Sequence, residues 1–305
     1  MDRRRFLASL GVAAGAAAAG ACGRSTSGQG RAETSVGATD PLSAAQARVA
    51  PQAEPTLSVV SANFELLTGA DQPFAFGLRD IDNEPIDNAD VDVYVMSSDG
   101  RQADGPHRAS FHTVEGMPLG LYLVDVDLPD AGVIPVVAVT PDTNRAGTLA
   151  LRVSTPEDSA LVAPGAAAPV VATPTVDKPL GFKNVCTATP RCGMHDISLD
   201  DALAARRPVM LTFATPAYCQ TAVCGPSVEV MDSVRERGEW GDVAWIHVEI
   251  YSDDGQTLSK PVAAWDLPTE PWLFAIDADG AVVERRDGPL LVLEDQVAAV
   301  ADGLA

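Results

Sequence analysis

The sequence carries five cysteines, and all but Cys22 fall between positions 186 and 224. Cys219 and Cys224 lie in the stretch TFATPAYCQTAVCGPSVEVM, from Thr212 to Met231, between an apolar run suited to a strand and an amphipathic run suited to a helix. Two thiols at such a junction can exchange with a disulfide. A thiolate at a helix N-terminus is stabilised by backbone N–H groups and the helix dipole, which lower its pKa from about 8.5. Cys224 takes that place, because Gly225 and Pro226 read as the opening of a helix with proline in its first turn. In a regular helix, residues five apart rise about 7.5 Å, beyond the roughly 7 Å that a disulfide spans. A Cys219–Cys224 bridge therefore requires Cys219 in the loop ahead of the helix.

Cys186 and Cys192, in CTATPRCGMHDISL, make a second pair, expected as a bridge that braces the domain or relays electrons. Four clustered cysteines in an exported chain suggest disulfides, and four thiols allow three connectivities that spacing does not separate. Both pairs acting as plain staples is the competing expectation. His195, beside Cys192, is the one candidate partner for a soft metal, while its bland reading is a loop histidine ahead of a helix cap. His247 alternates in phase with Trp245 and Glu249 along a strand. His107 and His112 have no third ligand nearby and read as loop or strand residues. No metal ion and no cofactor is expected.

The elements that must position the cysteines follow an α/β order. SLDDALAAR opens a helix in which Ser198 and Asp201 have capping-box spacing. PVMLTFA and VAWIHVEIY are continuous apolar runs suited to buried strands, and PSVEVMDSVRERG places Val228, Met231 and Val234 on one helical face. A short helix near residues 259–265, the strand WLFAID, the turn ADG, the strand AVVERR and a last helix near residues 293–304 complete the order. Residues 56–154 differ: short apolar stretches cut by Asp, Asn and Gly turns predict seven strands without a helix, hence a β-sandwich. In VDVYVM, Val91, Val93 and Val95 fall on one face.

Composition bounds the partners. The chain has 305 residues and a formal charge of −21, which excludes the basic face that nucleic acid demands. Residues 1–22 read as an export signal, with DRRRFL resembling the twin-arginine motif and AGAC resembling a lipobox whose Cys22 would carry a lipid anchor. Residues 23–55, rich in Gly, Ser, Ala and Pro, are expected to be a flexible tether, and the Pro/Ala-rich residues 155–179 an extended linker. Residues 180–305 form the second domain.

Within that domain, LPTEPWLFAIDADGAVV resembles the segment of membrane-anchored thioredoxins in which a cis-proline begins a strand, and Pro271 takes that position. The combination of CTATPRCGMHDISL and PAYCQTAVCGP resembles secreted thioredoxin-like proteins of actinobacteria. FGLRDIDNEPIDNADVDVYV resembles bacterial immunoglobulin-like modules. The resemblance implies an immunoglobulin-like sandwich followed by a thioredoxin-like domain, with substrate chains bound along Pro271. Two alignments remain open. One reads Cys224-Gly225-Pro226-Ser227 as a CGPC motif that has lost its second cysteine; the other makes Cys219 the nucleophile. The spacing also resembles Q-type peroxiredoxins, whose threonine and arginine positions are not matched here, and Sco-type copper chaperones, whose late histidine is missing after His247. Glu270 stands where a residue faces the dithiol, and a carboxylate there disfavours a thiolate.

The expected function is that of an extracytoplasmic, lipid-anchored thiol:disulfide oxidoreductase. It acts through Cys219, Cys224 and Pro271 on thiols or disulfides of exported proteins. The alternatives are a non-catalytic docking protein and a Sco-like copper-binding protein.

Overall fold

The computed structural model describes residues 40–113, 120–219, 223–238 and 240–304. The export signal, the lipid attachment expected at Cys22 and most of the expected tether lie outside the described residues.

Strands β1 (Ser58–Ser61), β2 (Leu66–Leu67), β3 (Gly69–Arg79), β4 (Val91–Met96), β5 (Ala103–His112), β6 (Leu121–Leu128), β7 (Gly132–Thr140) and β8 (Arg145–Ser154) form the first unit. Their ladder order is β1-β3-β6-β5-β4-β7-β8-β2. It bends into a sandwich at β5, whose first part pairs antiparallel with β4 and whose last residues pair with β6. The alternating valines of β4 are buried, as the period-two pattern requires, and meet Phe74 and Phe76 of β3, Tyr122 and Val124 of β6, and Ile134 and Val136 of β7 in one core. Each such side chain contributes roughly 1.5–3 kcal/mol when fully buried. The Tyr122 hydroxyl donates to the Ile86 carbonyl at 3.0 Å and accepts from the Ala89 N–H at 2.9 Å, which pins the turn-rich segment before β4.

The stretch expected to be a flexible tether is ordered from residue 40 onward. Asp40 caps helix α1 (Pro41–Val49) by accepting from the Ser43 N–H, and Ala45 packs with Val137 and Ala146 on the outer face of the sandwich. Proline at the first helical position favours that start.

The second unit contains α2 (Leu199–Ala204), β9 (Val209–Phe213), α3 (Cys224–Glu236), β10 (Ala244–Val248), α4 (Lys260–Trp265), β11 (Trp272–Ile276), β12 (Val282–Asp287), a 3-10 turn (Gly288–Val292) and α5 (Glu294–Asp302). The four strands form a mixed sheet in the order β10-β9-β11-β12, with β10 parallel to β9 and β11 antiparallel to both neighbours. Every residue of β9, β10 and β11 is buried, which explains why they read as continuous apolar runs. Val228, Met231 and Val234 of α3 pack against one face, while Phe213, Trp265 and Phe274 fill the other. The capping box expected at α2 does not form: Ser198 Oγ accepts from the Thr173 N–H at 2.8 Å and turns to Asp200 rather than capping.

That bond belongs to a segment expected to be an extended linker. Residues 155–179 have little regular structure, but they are tied down: Leu161 and Ala168 enter the core of the second unit, and Ala168 donates to the Gly280 carbonyl. The two cores also touch directly. Ala75 and Leu123 of the sandwich cluster with Val223, Leu290, Val292 and Leu293. The Asp287 carboxylate accepts from the backbone of Phe64 and Glu65 and from Asn63 Nδ2, and Arg285 pairs with Glu65. Burial pushes Asp287 up to about 6, and the bonds from Phe64, Asn63 and Glu65 oppose the rise. Among the described residues, no helix is long and apolar enough to cross a membrane.

Candidate functional site

Strand β9 ends at Phe213 and delivers the chain to the loop that carries Cys219. Thr215 turns this loop: its carbonyl accepts from the Cys219 N–H at 3.0 Å, and its hydroxyl donates to Glu249 Oε2 at 2.7 Å. Cys219 therefore sits in the loop and Cys224 is the first residue of α3, the arrangement that a bridge between them requires. Cys224 is fully buried, whereas Cys219 is half-buried and reachable from solvent. Both sulfurs lie within 4.8 Å of a Glu270 carboxyl oxygen.

The electrostatics divide the labour between the sulfurs. The Cys224 thiol is pushed up, first by its hydrogen bond to Cys219, then by burial and by the charges of Glu270 and Cys219. Glu270 is pushed up to about 8, first by burial, then by the charges of Cys219 and Glu249. Its Oε2 is buried and has no hydrogen-bond partner. At neutral pH Glu270 is therefore largely uncharged. The expected conflict between a Glu270 carboxylate and a thiolate is accordingly weak. The Glu270–Pro271 peptide is cis, as the position of Pro271 implied. Pro271 leads into β11, and its carbonyl accepts from the Gly288 N–H at 3.0 Å. The ring of Trp272, the next residue, meets Phe64 of the sandwich edge-on at 5.8 Å.

The second cysteine pair is placed elsewhere, on the far side of Glu249. Cys186 and Cys192 sulfurs stand 3.7 Å apart and are not bonded to each other. Two imidazoles complete the group: His195 Nε2 is 3.3 Å from Cys192 Sγ, and His247 Nδ1 is 3.4 Å from Cys192 Sγ and 3.7 Å from Cys186 Sγ. All four donor atoms lie within 4.8 Å of one another, and all four residues are buried. The Cys186 thiol is lowered, first by its hydrogen bond with Cys192 and then by His195 and His247; Cys192 is raised in return by Cys186 and by burial. Burial opposes protonation of His247, but Cys186 and Glu249 outweigh it and its pKa is raised.

The loop that brings Cys192 and His195 to the strand is held at several points. Met194 O accepts from the His247 N–H at 2.9 Å, and Val176 N–H donates to His195 O at 3.0 Å. The Asp232 carboxylate of α3 accepts from the Gly193 N–H at 3.1 Å. A Cβ at 193 would lie 2.3 Å from the Arg235 guanidinium, so a side chain there would have to displace it. Glu249 joins the two regions, accepting from Thr187 N–H at 2.6 Å and Thr187 Oγ1 at 2.9 Å as well as from Thr215.

Of the expected site residues, Cys219 and Cys224 stand together with Glu270, and Pro271 follows Glu270 in the chain. Sequence reasoning did not join His247 to the other cysteines. The available signal was a histidine inside an otherwise apolar strand, in phase with Glu249. His107 and His112 lie on β5, bonded to Asp104 and Ser110 respectively, away from both groups.

No protein-family model matches the chain, and no curated protein does. Among solved structures it is similar to the Lin-41 filamin domain, at 15% identity over 32% of this chain and 92% of that one, with a TM-score of 0.21. It is also similar to the ZirS C-terminal domain, at 10% identity over 45% of this chain and 86% of that one, with a TM-score of 0.19.

Proposed function

We propose that the protein is an extracytoplasmic, membrane-attached thiol:disulfide oxidoreductase in which Cys219 is the attacking sulfur and Cys224 the resolving one. The observation that carries this reading is the pairing of a reachable Cys219 with a fully buried Cys224 at the head of α3, both sulfurs within 4.8 Å of a Glu270 carboxyl oxygen. The succession β9-α3-β10 followed by β11-β12-α5, with sheet order β10-β9-β11-β12, supports a thioredoxin-like second domain. Two stacked layers, antiparallel except where β2 joins β8, with β5 crossing between them support an immunoglobulin-like first domain.

The exchange is balanced within the pair. The Cys219 thiolate attacks one sulfur of a substrate disulfide, forming a mixed disulfide and releasing a substrate thiolate. The Cys224 thiol passes its proton to the Glu270 carboxylate and attacks Cys219 Sγ; the Cys219–Cys224 disulfide forms and the second substrate thiolate leaves, taking two electrons with the first. The reverse sequence oxidises a substrate dithiol. Partners of this chemistry are thiols or disulfides of exported proteins, met along Pro271, with attachment to the membrane through a lipid on Cys22.

The reduction potential of the Cys219–Cys224 pair in the full chain tests the reading. A potential between about −270 and −120 mV, the range of exchange-active proteins, is expected; one below about −300 mV belongs to a structural bridge and overturns it.

A further inference from the structure

We infer that Cys186, Cys192, His195 and His247 form a closed tetrahedral site for one zinc-class divalent ion, separate from the dithiol and structural in role. Two thiolates and two imidazoles are the donor set of borderline-soft ions, and zinc takes four such ligands in a tetrahedron. The spacing fits. With Zn–S about 2.3 Å and Zn–N about 2.0–2.1 Å, a regular tetrahedron puts sulfurs about 3.8 Å apart and sulfur and nitrogen about 3.5–3.6 Å apart. The sulfur–sulfur separation is 3.7 Å, and the sulfur–nitrogen separations are 3.3, 3.4 and 3.7 Å.

The proton on His247 is already placed for ligation. Its Nε2–H donates to the Ala214 carbonyl at 3.1 Å, which leaves the Nδ1 lone pair directed at the two sulfurs. A backbone acceptor behind a ligating imidazole fixes tautomer and ring orientation in this way. His195 is 2% exposed, its Nδ1 has no partner, and its Nε2 meets the Cys192 sulfur at 3.3 Å. A disulfide between Cys186 and Cys192 would account for two of the four residues and leave both imidazoles buried beside it. An ion accounts for all four.

Charge also closes. Binding a divalent cation releases one proton from each thiol, so a +2 ion with two thiolates and two neutral imidazoles carries no net charge into the interior. None of the four residues is more than 5% exposed, which leaves no open coordination position for substrate or water. The ion would staple the 186–195 segment onto β10. Cys219, Cys224 and Glu270 form a separate group and contribute no ligand to this site.

The experiment uses the full chain, reduced and stripped of metal. Zinc is titrated in competition with a chromogenic chelator, and cobalt(II) is bound in parallel. One ion per chain is expected, with the intense visible bands and sulfur-to-cobalt charge transfer of a tetrahedral thiolate site. Binding should persist in the Cys219→Ser/Cys224→Ser double variant, where the oxidoreductase chemistry is gone, and be lost in Cys192→Ser and in His247→Ala. The cobalt spectrum of the unsubstituted chain decides the matter even where a ligand variant misfolds. Absence of stoichiometric binding, a weak six-coordinate cobalt spectrum, a site that takes copper(I) but refuses zinc and cobalt, or loss of binding with the Cys219/Cys224 double variant each overturn the inference.

Discussion

His247 Nε2 and Glu249 Oε1 lie 4.0 Å apart, two residues along one chain, and each serves a different cysteine group. His247 directs Nδ1 at Cys186 and Cys192, while Glu249 holds the Thr215 hydroxyl four residues ahead of Cys219 and the Thr187 hydroxyl one residue beyond Cys186. The end of β10 is therefore a common wall between the two groups, and a change on one side is felt on the other through Glu249.

The two sulfurs of the dithiol should respond differently to substitution. Cys219→Ser removes the proposed nucleophile and should reduce exchange with a model protein disulfide to the background rate. Cys224→Ser keeps the first step and removes the second, so a mixed disulfide at Cys219 should accumulate and be visible by mass spectrometry. Trapping at Cys224 in Cys219→Ser would reverse the assignment.

Glu270 should set a pH dependence. As the proposed proton acceptor for Cys224 it works when ionised; its pKa of about 8 includes the charge of Cys219, which the mixed disulfide removes, so the resolving step should quicken as pH rises through a value below 8 that burial and Glu249 still hold above the usual carboxylate range. Glu270→Gln should slow resolution by about 100-fold and remove the inflection. Glu249→Gln removes one of the charges that raise Glu270, so the inflection should move to lower pH. A profile of resolving rate against pH that is unchanged in both variants would exclude the role.

The joint between the units should weaken as pH rises between about 4 and 6. Asp287 has its pKa raised from 3.8 to about 6 in the folded chain, so the folded state holds a proton that the unfolded state has lost across that window. The sign follows: its contribution is fully present below about 4 and is lost by about 6, amounting to roughly 3 kcal/mol at 1.36 kcal/mol per unit. Denaturant unfolding of the wild type and Asp287→Asn, compared across this range, should show a difference that changes with pH in that direction. A constant difference would exclude it.

Arg285 is the other half of that joint. It is 7% exposed, bonds Ser159 Oγ and the Val162 carbonyl, and neutralises Glu65. Arg285→Met leaves Glu65 shielded from solvent without its partner and should cost about 3 kcal/mol, read from the urea midpoint. Adding Glu65→Leu should restore part of the loss. A double variant as unstable as the single one would mean that the Arg285 bonds to Ser159 and Val162, not its charge, hold the joint.

Much of this was readable from local pattern. The valines of β4, the continuous runs of β9 and β10 and the Val228-Met231-Val234 face of α3 are periodic signals, and periodicity reports burial directly. Pro271 was readable because a short segment around it is distinctive. The four-residue group at Cys186 was not, because His247 is brought to it by the pairing of Met194 with β10, a contact between distant parts of the chain. Composition also misled twice. The residues around α1 and the 155–179 segment are rich in Ala and Pro and lack periodicity, yet Ala45, Leu161 and Ala168 each fill a specific gap in a neighbouring surface.

The enclosure of Cys186, Cys192, His195 and His247 bears on time as well as on affinity. An ion at the proposed site has no path to solvent while the Met194–His247 pairing and the Asp232–Gly193 bonds are closed. Its residence is then governed by how often that segment opens, not by the strength of its four bonds alone. Which metal the chain holds would be decided where and when it folds, and later changes in the surrounding metal supply would register only as slowly as the segment breathes.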